Sequence, residues 1–150
     1  MTNTATDVLV ARLGVLEDER AVLKTLYAYG HSIDYGDEEQ WIDCFTEDGV
    51  FDVRRRLNPE ASRRHAGRDA LAAFVAQHTR APHAWHKHVL IEPDIVVDGD
   101  RARCRSYFLR VDYLDGAPVI VAMGRYLDEL VRGDDSVWRF TQRIAEVENK

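Results

Sequence analysis

A chain of 150 residues is long enough for one domain with a sizeable core, and its 45% apolar and 31% charged residues are typical of globular proteins. A formal net charge of −6 argues against a nucleic-acid partner, because phosphates attract an excess of lysine and arginine. No apolar run approaches the ~20 residues that cross a membrane, and two cysteines outside any CxxC pair are too few for a disulfide framework. We therefore expect one cytoplasmic domain over residues 1–150.

The first half of the chain is predicted to be mainly helical. Helical spacing of apolar residues or helix-start signals mark three segments, at residues 7–33, 38–45 and 70–78, and the first of them is expected to form one or two helices. Asp37 precedes the second segment as an N-cap, and Gly67 introduces the third. Between these two helices we expect a short strand at residues 50–53 and then a loop from Arg54 to Arg64. We interpret the five arginines of this loop as a solvated surface.

From Trp85 onward the sequence predicts four long strands. Turn signals recur at the intervals of hairpins and separate residues 86–97, 102–113, 119–131 and 137–147. Strands of this length must bend, which requires a bulge or a glycine such as Gly124. Helices followed by an antiparallel meander predict an α+β domain, with a cone-shaped, curved antiparallel sheet wrapped around the N-terminal helices.

Asp34 is an unexpected residue in the first helix. At about 100° of rotation per residue it falls in the middle of the apolar stripe that contains Leu23 and Tyr27. A buried carboxylate without a partner is costly, so a helix that continues this far must pair Asp34 or leave a cavity beside it. Alternatively, the helix ends near Gly30 and Asp34 is a solvated turn residue. The helical spacing leaves both interpretations open.

A series of short motifs runs in order along nearly the whole chain. They are Tyr29-x4-Asp34, Trp41-x3-Phe45-x2-Asp48-Gly49, Gly67-x3-Leu71-x2-Phe74, His86-Lys87-His88, Gly124-Arg125-Tyr126 and Trp138-x4-Arg143. Their order and spacing resemble the SnoaL-like group of the nuclear transport factor 2-like superfamily. That group includes scytalone dehydratase, bile-acid 7α-dehydratase and hexachlorocyclohexane dehydrochlorinase.

The resemblance implies a set of catalytic residues. In dehydratase-like members an aspartate of the first helix faces a histidine of the first long strand, and by motif position these are Asp34 and His88. Such an aspartate orients the imidazole and stabilises the imidazolium that forms when the ring takes a substrate proton. Tyr29 and Arg143 match residues that polarise a substrate oxygen or hold a leaving anion. The resemblance thus implies a cofactor-independent, dehydratase-type lyase for a small hydrophobic cyclic substrate that is polyketide-, steroid- or terpenoid-like.

Other functions remain open on the same scaffold. Double-bond isomerisation needs the same proton abstraction, so an isomerase or cyclase is an alternative. A noncatalytic ligand-binding or oligomerisation subunit, like the small subunit of ring-hydroxylating dioxygenases, is another. His86, His88 and Glu92 also have the spacing of the first metal motif of cupins. Because no histidine follows His88 to complete a cupin site, we expect neither a metal nor another cofactor.

The second long strand predicts an interface between copies of the chain. Strand alternation places four apolar residues on one face, which are Tyr107, Leu109, Val111 and Tyr113. Members of the superfamily pair such faces, so we expect a homodimer or homotrimer. On the opposite face of the strand, Asp112 is interpreted as a surface carboxylate that could assist the site from its rim.

Overall fold

A computed structural model describes residues 4–149 of the chain. The three predicted helices are α1 (Thr4–Tyr35), α2 (Glu38–Asp43) and α3 (Arg68–Gln77). Six strands accompany them: β1 (Phe45–Arg55), β2 (Arg63–Ala66), β3 (His86–Asp98), β4 (Arg101–Leu114), β5 (Ala117–Arg132) and β6 (Trp138–Val147). The four long strands of the predicted meander are therefore present, and β1 and β2 extend the sheet beyond it.

The strands form one curved, open sheet in the order β2-β1-β6-β5-β4-β3. Strands β3 to β6 pair antiparallel with their neighbours along the chain, as the hairpin signals predicted. Strand β1 pairs parallel with β6, so the sheet is mixed rather than wholly antiparallel. This cone-shaped α+β architecture confirms the predicted fold class, and α1 packs against β3 at one edge of the sheet.

The arginine-rich segment is not the wholly solvated loop that we predicted. Its last part forms β2, which pairs antiparallel with β1. Arg54 donates to the carboxylate of Asp52 at 2.9 Å, and Arg56 lies 3.3 Å from a carboxylate oxygen of Glu146. Asp52 and Glu146 are both buried, and a buried carboxylate needs a cation beside it. Two of the arginines are therefore counterions for acidic residues of the sheet.

Aromatic side chains fill the interior of the cone between the helices and the sheet. We call this cluster the aromatic core; it consists of Tyr29, Trp41, Phe45, Phe51, Tyr126 and Phe140. Neighbouring rings in it have centroids between 5.0 and 6.3 Å apart, within the range of favourable tilted and edge-to-face contacts. The middle of the cone is consequently packed with side chains.

Gly124 on β5 allows this strand to approach β6 closely. A Cβ atom at this position would overlap the backbone carbonyl of Glu146 and meet the ring of Phe108 at 3.2 Å. The irregularities in strand register lie elsewhere, between Ile91 and Asp94 on β3 and at three further shifts of register. Gly124 is thus needed for contact with β6.

Replacing Gly124 with alanine should lower the free energy of unfolding by about 1–3 kcal/mol, because the backbone of β6 must move to admit the methyl group. Gly14→Ala is the matched control, since a Cβ there meets no atom of the described residues within 4 Å and alanine favours a helix by about 0.5–1 kcal/mol relative to glycine. Urea unfolding of both variants measures the difference. Equal stabilities for the two variants would contradict the close approach at Gly124.

Two apolar surfaces of the chain are exposed. The first half of α1 carries large apolar side chains that are 49–64% exposed, namely Val8, Leu9, Val10, Leu13, Val15 and Leu16. The second surface is the outward face of β4, which strand alternation predicted to be apolar; Tyr107 and Tyr113 on this face are each 57% exposed. None of the helices described within residues 4–149 is both long and apolar enough to cross a membrane.

Candidate active site

Asp34 and His88 are in direct contact. Helix α1 continues to Tyr35, so Asp34 belongs to its last turn and is only 4% exposed; the alternative of a solvated turn residue is wrong. Its Oδ1 atom lies 2.6 Å from Nδ1 of His88, and its Oδ2 atom accepts the backbone N–H of His88 at 3.1 Å. The carboxylate that interrupts the apolar stripe of α1 is therefore paired with β3. We call Asp34 and His88 the dyad.

The position of Asp34 on its helix explains why it needs this partner. The carbonyl end of a helix carries partial negative charge, which disfavours a carboxylate, and the last turn of α1 contains no basic residue. The compensating donors come from His88 instead. Because an ionised carboxylate only accepts hydrogen bonds, Nδ1 of His88 carries the proton in this pair. In the neutral ring Nε2 is then left as a proton acceptor.

His86 lies beside the dyad on the same face of β3. It is 2% exposed, and its Nε2 atom is 3.5 Å from Oδ1 of Asp34. Among the described residues, neither ring nitrogen of His86 has a hydrogen-bond partner. Burial lowers the pKa of His86, and the charge of Arg110 lowers it further, so the ring is neutral near pH 7. The sequence His86-Lys87-His88 indicated this arrangement, because alternate residues of a strand project to the same face of the sheet.

His78, which follows α3, completes a cluster of three imidazoles that the sequence did not predict. Its ring centroid is 5.2 Å from that of His86 and 5.7 Å from that of His88. Burial, followed by the proximity of His88, lowers the pKa of His78 to about 4. No local pattern indicated this contact, because the chain between His78 and β3 is irregular.

An open cleft of about 400 Å³ gives access to the dyad between α1 and β3. Its lining consists of Asp34 and His88 together with Leu26, Tyr27, Gly30, His31, Tyr35, Lys87, Val89 and Leu90. The side chain of His88 is 11% exposed. A base at the wall of a largely apolar cleft is a suitable arrangement for taking a proton from a small hydrophobic molecule.

A family model described as a SnoaL-like domain matches residues 14–144. The chain belongs to the SnoaL-like family. No curated protein matched its sequence, so the family assignment comes without a specific activity. The two dyad residues of this SnoaL-like protein both lie inside the matched region.

Solved structures share the fold of this SnoaL-like protein over most of its length. An NTF2-like protein with a cystatin-like fold from Novosphingobium aromaticivorans superposes with a TM-score of 0.80 at 24% identity, covering 93% of this chain and 87% of that one. A protein from the same bacterium, described as the β subunit of an aromatic-ring-hydroxylating dioxygenase, gives 0.73 at 21% identity over 94% and 93% of the two chains. ActVI-ORFA from Streptomyces coelicolor gives 0.71 at 21% identity over 86% and 96%.

Tyr29 and Arg143 lie together in the aromatic core. Tyr29 is 2% exposed and Arg143 is fully buried. The guanidinium donates from Nε and Nη2 to the two carboxylate oxygens of Asp128, each at 2.8 Å, and its Cζ atom is 4.2 Å from the ring centroid of Tyr29. Among the described residues, no hydrogen bond or ring contact joins either side chain to the dyad. Their predicted contact with a substrate stays a prediction.

The electrostatics of the aromatic core keep Arg143 charged and Tyr29 protonated. Burial by itself lowers the pKa of Arg143, but the charge and hydrogen bonds of Asp128 outweigh this effect. Burial also raises the pKa of Tyr29 well above its ordinary value, and Tyr126 adds to the increase. The phenol of Tyr29 is therefore a hydrogen-bond donor at any physiological pH.

Three of the clustered residues could hold a metal ion. Asp34, His86 and His88 offer ligand atoms that all lie within 4.8 Å of one another, and two imidazoles with one carboxylate suit a divalent transition metal. Glu92, the third residue of the cupin-like motif, is exposed at a positive φ of 50° and does not join them. A metal would also have to displace the proton that Nδ1 of His88 shares with Asp34. The set therefore fits a metal less well than it fits a hydrogen-bonded pair.

The lowered pKa values of His78, which is half-buried, and of the buried His86 predict an acid-sensitive fold. The pKa of His78 falls from 6.5 to about 4 on folding, so between these pH values the unfolded chain binds a proton that the native state does not. The free energy of unfolding should decrease as the pH falls through this window, with His86 adding to the slope. Urea unfolding against pH should show a smaller slope for His78→Gln and an unchanged one for His83→Gln, a variant of an exposed histidine. Identical slopes for both variants would contradict this prediction.

Proposed function

We propose that this SnoaL-like protein is a cofactor-independent lyase of the dehydratase type, acting on a small hydrophobic cyclic compound that contains a carbonyl group. The contact of 2.6 Å between Asp34 and His88, beside an open cleft, is the observation that supports this proposal. A histidine with a carboxylate on one nitrogen and a free lone pair on the other is suited to general acid–base catalysis.

In the proposed reaction His88 takes a proton from the carbon next to the substrate carbonyl. The electron pair of the broken C–H bond moves towards the carbonyl oxygen and forms an enolate. The proton resides on Nε2 of His88, and Asp34 balances the positive charge of the imidazolium. When the enolate collapses, the C–O bond of the neighbouring carbon breaks and the departing hydroxide takes the proton from His88. One water molecule leaves, and the base is restored.

The backbone hydrogen bond to Asp34 contributes to this mechanism by fixing the carboxylate. Oδ2 is held by the N–H of His88, so Oδ1 is already aligned with the imidazole before a substrate enters. Preorganised charge of this kind requires little rearrangement in the transition state. We assign Tyr29 and Arg143 to the aromatic core, because both side chains are buried, Asp128 holds the guanidinium at Nε and Nη2, and the described lining of the cleft beside His88 includes neither residue.

Proton abstraction can be tested without the natural substrate. In D2O the enzyme should accelerate exchange of deuterium into the acidic C1 position of 2-tetralone, a cyclic ketone that fits a cleft of about 400 Å³. Mass spectrometry follows the incorporation against a buffer blank, and a panel of other cyclic ketones extends the search. A rate equal to the blank for every ketone in the panel would contradict the proposal.

Double-bond isomerisation or cyclisation could follow from the same first step. An enolate that is reprotonated at another carbon gives an isomer of unchanged mass, whereas dehydration removes the mass of one water. A turnover product of unchanged mass would therefore establish an isomerase or cyclase in place of a lyase. The dyad has the same role in each reaction.

A noncatalytic subunit is a second candidate function. The aromatic core supports this candidate, because its side chains fill the middle of the cone, where an enzyme would need an open pocket for its substrate. A protein of this kind would bind ketones or a partner enzyme without accelerating deuterium exchange.

Metal analysis of the purified protein addresses the cupin-like alternative, since stoichiometric iron, manganese or zinc would show that the cluster of Asp34, His86 and His88 serves metal chemistry.

We further propose that the protein forms a homodimer or homotrimer. The exposed apolar side chains of α1 and of the outward face of β4 favour association, because monomers rarely leave several such residues in water. Light scattering after size-exclusion chromatography should give two or three times the chain mass of 17.2 kDa. A single chain mass at micromolar concentration would contradict this prediction.

A further inference from the structure

Arg110 and Asp112 lie on β4 directly opposite the two histidines of β3. The strand register pairs His88 with Arg110 and His86 with Asp112. Directly paired residues project to the same side of a sheet, so these four side chains share the concave face. The charge of Arg110 contributes, after burial, to the lowered pKa of His86. Asp112, which we interpreted as a surface carboxylate, has a side chain only 19% exposed.

The guanidinium of Arg110 is held in place on one side only. Its Nε and Nη2 atoms donate to the carboxylate of Asp112 at 2.8 and 3.0 Å, and Nη2 is 3.5 Å from the hydroxyl of Thr79. Within residues 4–149, Nη1 has no hydrogen-bond partner, and the side chain is 28% exposed. Asp112 thus fixes the plane of the guanidinium and leaves the two N–H donors of Nη1 able to bind oxygen atoms.

Arg143 provides the contrast. It is completely buried, and Asp128 occupies its Nε and Nη2 atoms. The function that the family resemblance gives to Arg143 requires a cation that a substrate can reach. Of the two arginines, Arg110 is the one that is partly exposed, and it lies opposite the proposed base on the concave face of the sheet, outside the lining of the cleft between α1 and β3.

We propose that Arg110 is a catalytic residue that binds a planar oxyanion of the substrate through its Nη1 group. This inference rests on the proposed function of the dyad. The oxyanion has two possible sources: the enolate oxygen that forms when His88 takes the proton, or a carboxylate that the substrate already carries. In both cases no covalent bond forms between the substrate and Arg110. The positive guanidinium donates a hydrogen bond to the negatively charged oxygen of the enolate or of the carboxylate and stabilises its charge.

Binding of two probe ligands tests the carboxylate source. Isothermal titration should show that Arg110→Met weakens the binding of 2-naphthoate by about tenfold, the loss of one charge-assisted hydrogen bond, and leaves the neutral 2-naphthamide unchanged. Arg110→Lys should retain part of the affinity. Asp112→Asn should strengthen the binding of 2-naphthoate, because a negative charge beside the guanidinium is removed, and a purely structural ion pair would not produce this gain.

Deuterium exchange into 2-tetralone tests the enolate source. For Arg110→Met we expect kcat to fall by about 10²-fold, the usual result of removing one oxyanion donor, with little change in KM. Arg105→Met is the control, since Arg105 lies on the same strand but is exposed and pairs with Asp94. Thermal unfolding confirms that each variant is folded.

The results separate the possible outcomes. A loss of naphthoate affinity with normal exchange supports a carboxylate as the ligand, and a loss of kcat with normal affinity supports an enolate. Wild-type values for Arg110→Met in both assays would overturn the proposal. If the wild-type protein does not catalyse exchange at all, the proposed lyase function fails, while the titration still decides whether Arg110 binds an oxyanion.

Discussion

Replacing Asp128 with asparagine should lower the free energy of unfolding by about 3–5 kcal/mol, because the charge of Arg143 would remain buried without a counterion. Arg143 and Asp128 are both almost completely inaccessible, and two hydrogen bonds of 2.8 Å join them. The guanidinium also lies 4.0 Å from the ring centroid of Tyr126, so it cannot reach water without opening the aromatic core. Urea denaturation followed by tryptophan fluorescence measures the loss.

Asp94→Asn is the matched control for this prediction. Asp94 forms an ion pair of 2.7 Å with Arg105, but both side chains are more than half exposed, so its removal should cost about 1 kcal/mol or less. The double substitution of Arg143 by methionine and Asp128 by leucine should recover most of the stability lost by Asp128→Asn, because no buried charge remains. Similar small effects for Asp128→Asn and Asp94→Asn would show that Arg143 is not a buried cation.

Replacing His88 with alanine should reduce the rate of deuterium exchange into 2-tetralone by about 10²- to 10⁴-fold, the usual contribution of a general base. In the proposed mechanism the imidazole of His88 receives the proton, and no other described histidine makes a hydrogen bond to a carboxylate. Asp34→Asn should also lower kcat, because the amide cannot balance the charge of the imidazolium. KM should change little for either variant, since the dyad acts mainly in the transition state.

His83→Ala is the control for these variants, because His83 is exposed and, among the described residues, no hydrogen bond, ion pair or ring contact joins it to the cluster of imidazoles. It should retain the wild-type rate. Circular dichroism and thermal unfolding establish that His88→Ala and Asp34→Asn are folded. Wild-type exchange by folded His88→Ala would exclude His88 as the base.

The order of elements was predictable from the sequence because local signals define them. Asp37 caps α2 with its side chain, and turn residues end each strand of the meander. The parallel pairing of β1 with β6 was not predictable in this way. It joins Phe51 to Arg143, which are far apart in the chain, and the polar residues 46–49 do not have the composition of a strand.

The site was predictable in part from periodicity and in part from the family resemblance. Helical periodicity placed Asp34 in the apolar stripe of α1, the resemblance gave His88 as its partner, and the HxH pattern placed His86 on the same face of β3. The proximity of His78 and the orientation of Arg110 depend on how α3 and β4 pack against β3. These contacts are long-range, and no periodicity in the sequence reports them.

The tautomer of His88 tests the dyad most directly. Long-range proton–nitrogen correlation spectra of the labelled protein distinguish a protonated from an unprotonated ring nitrogen. For the neutral ring of His88 we predict a proton on Nδ1, held by Asp34 at 2.6 Å, and none on Nε2, with this preference lost in Asp34→Ala. A neutral ring protonated on Nε2 would have no lone pair on the nitrogen that the proposed mechanism uses to take the substrate proton, and this result would contradict the proposed base.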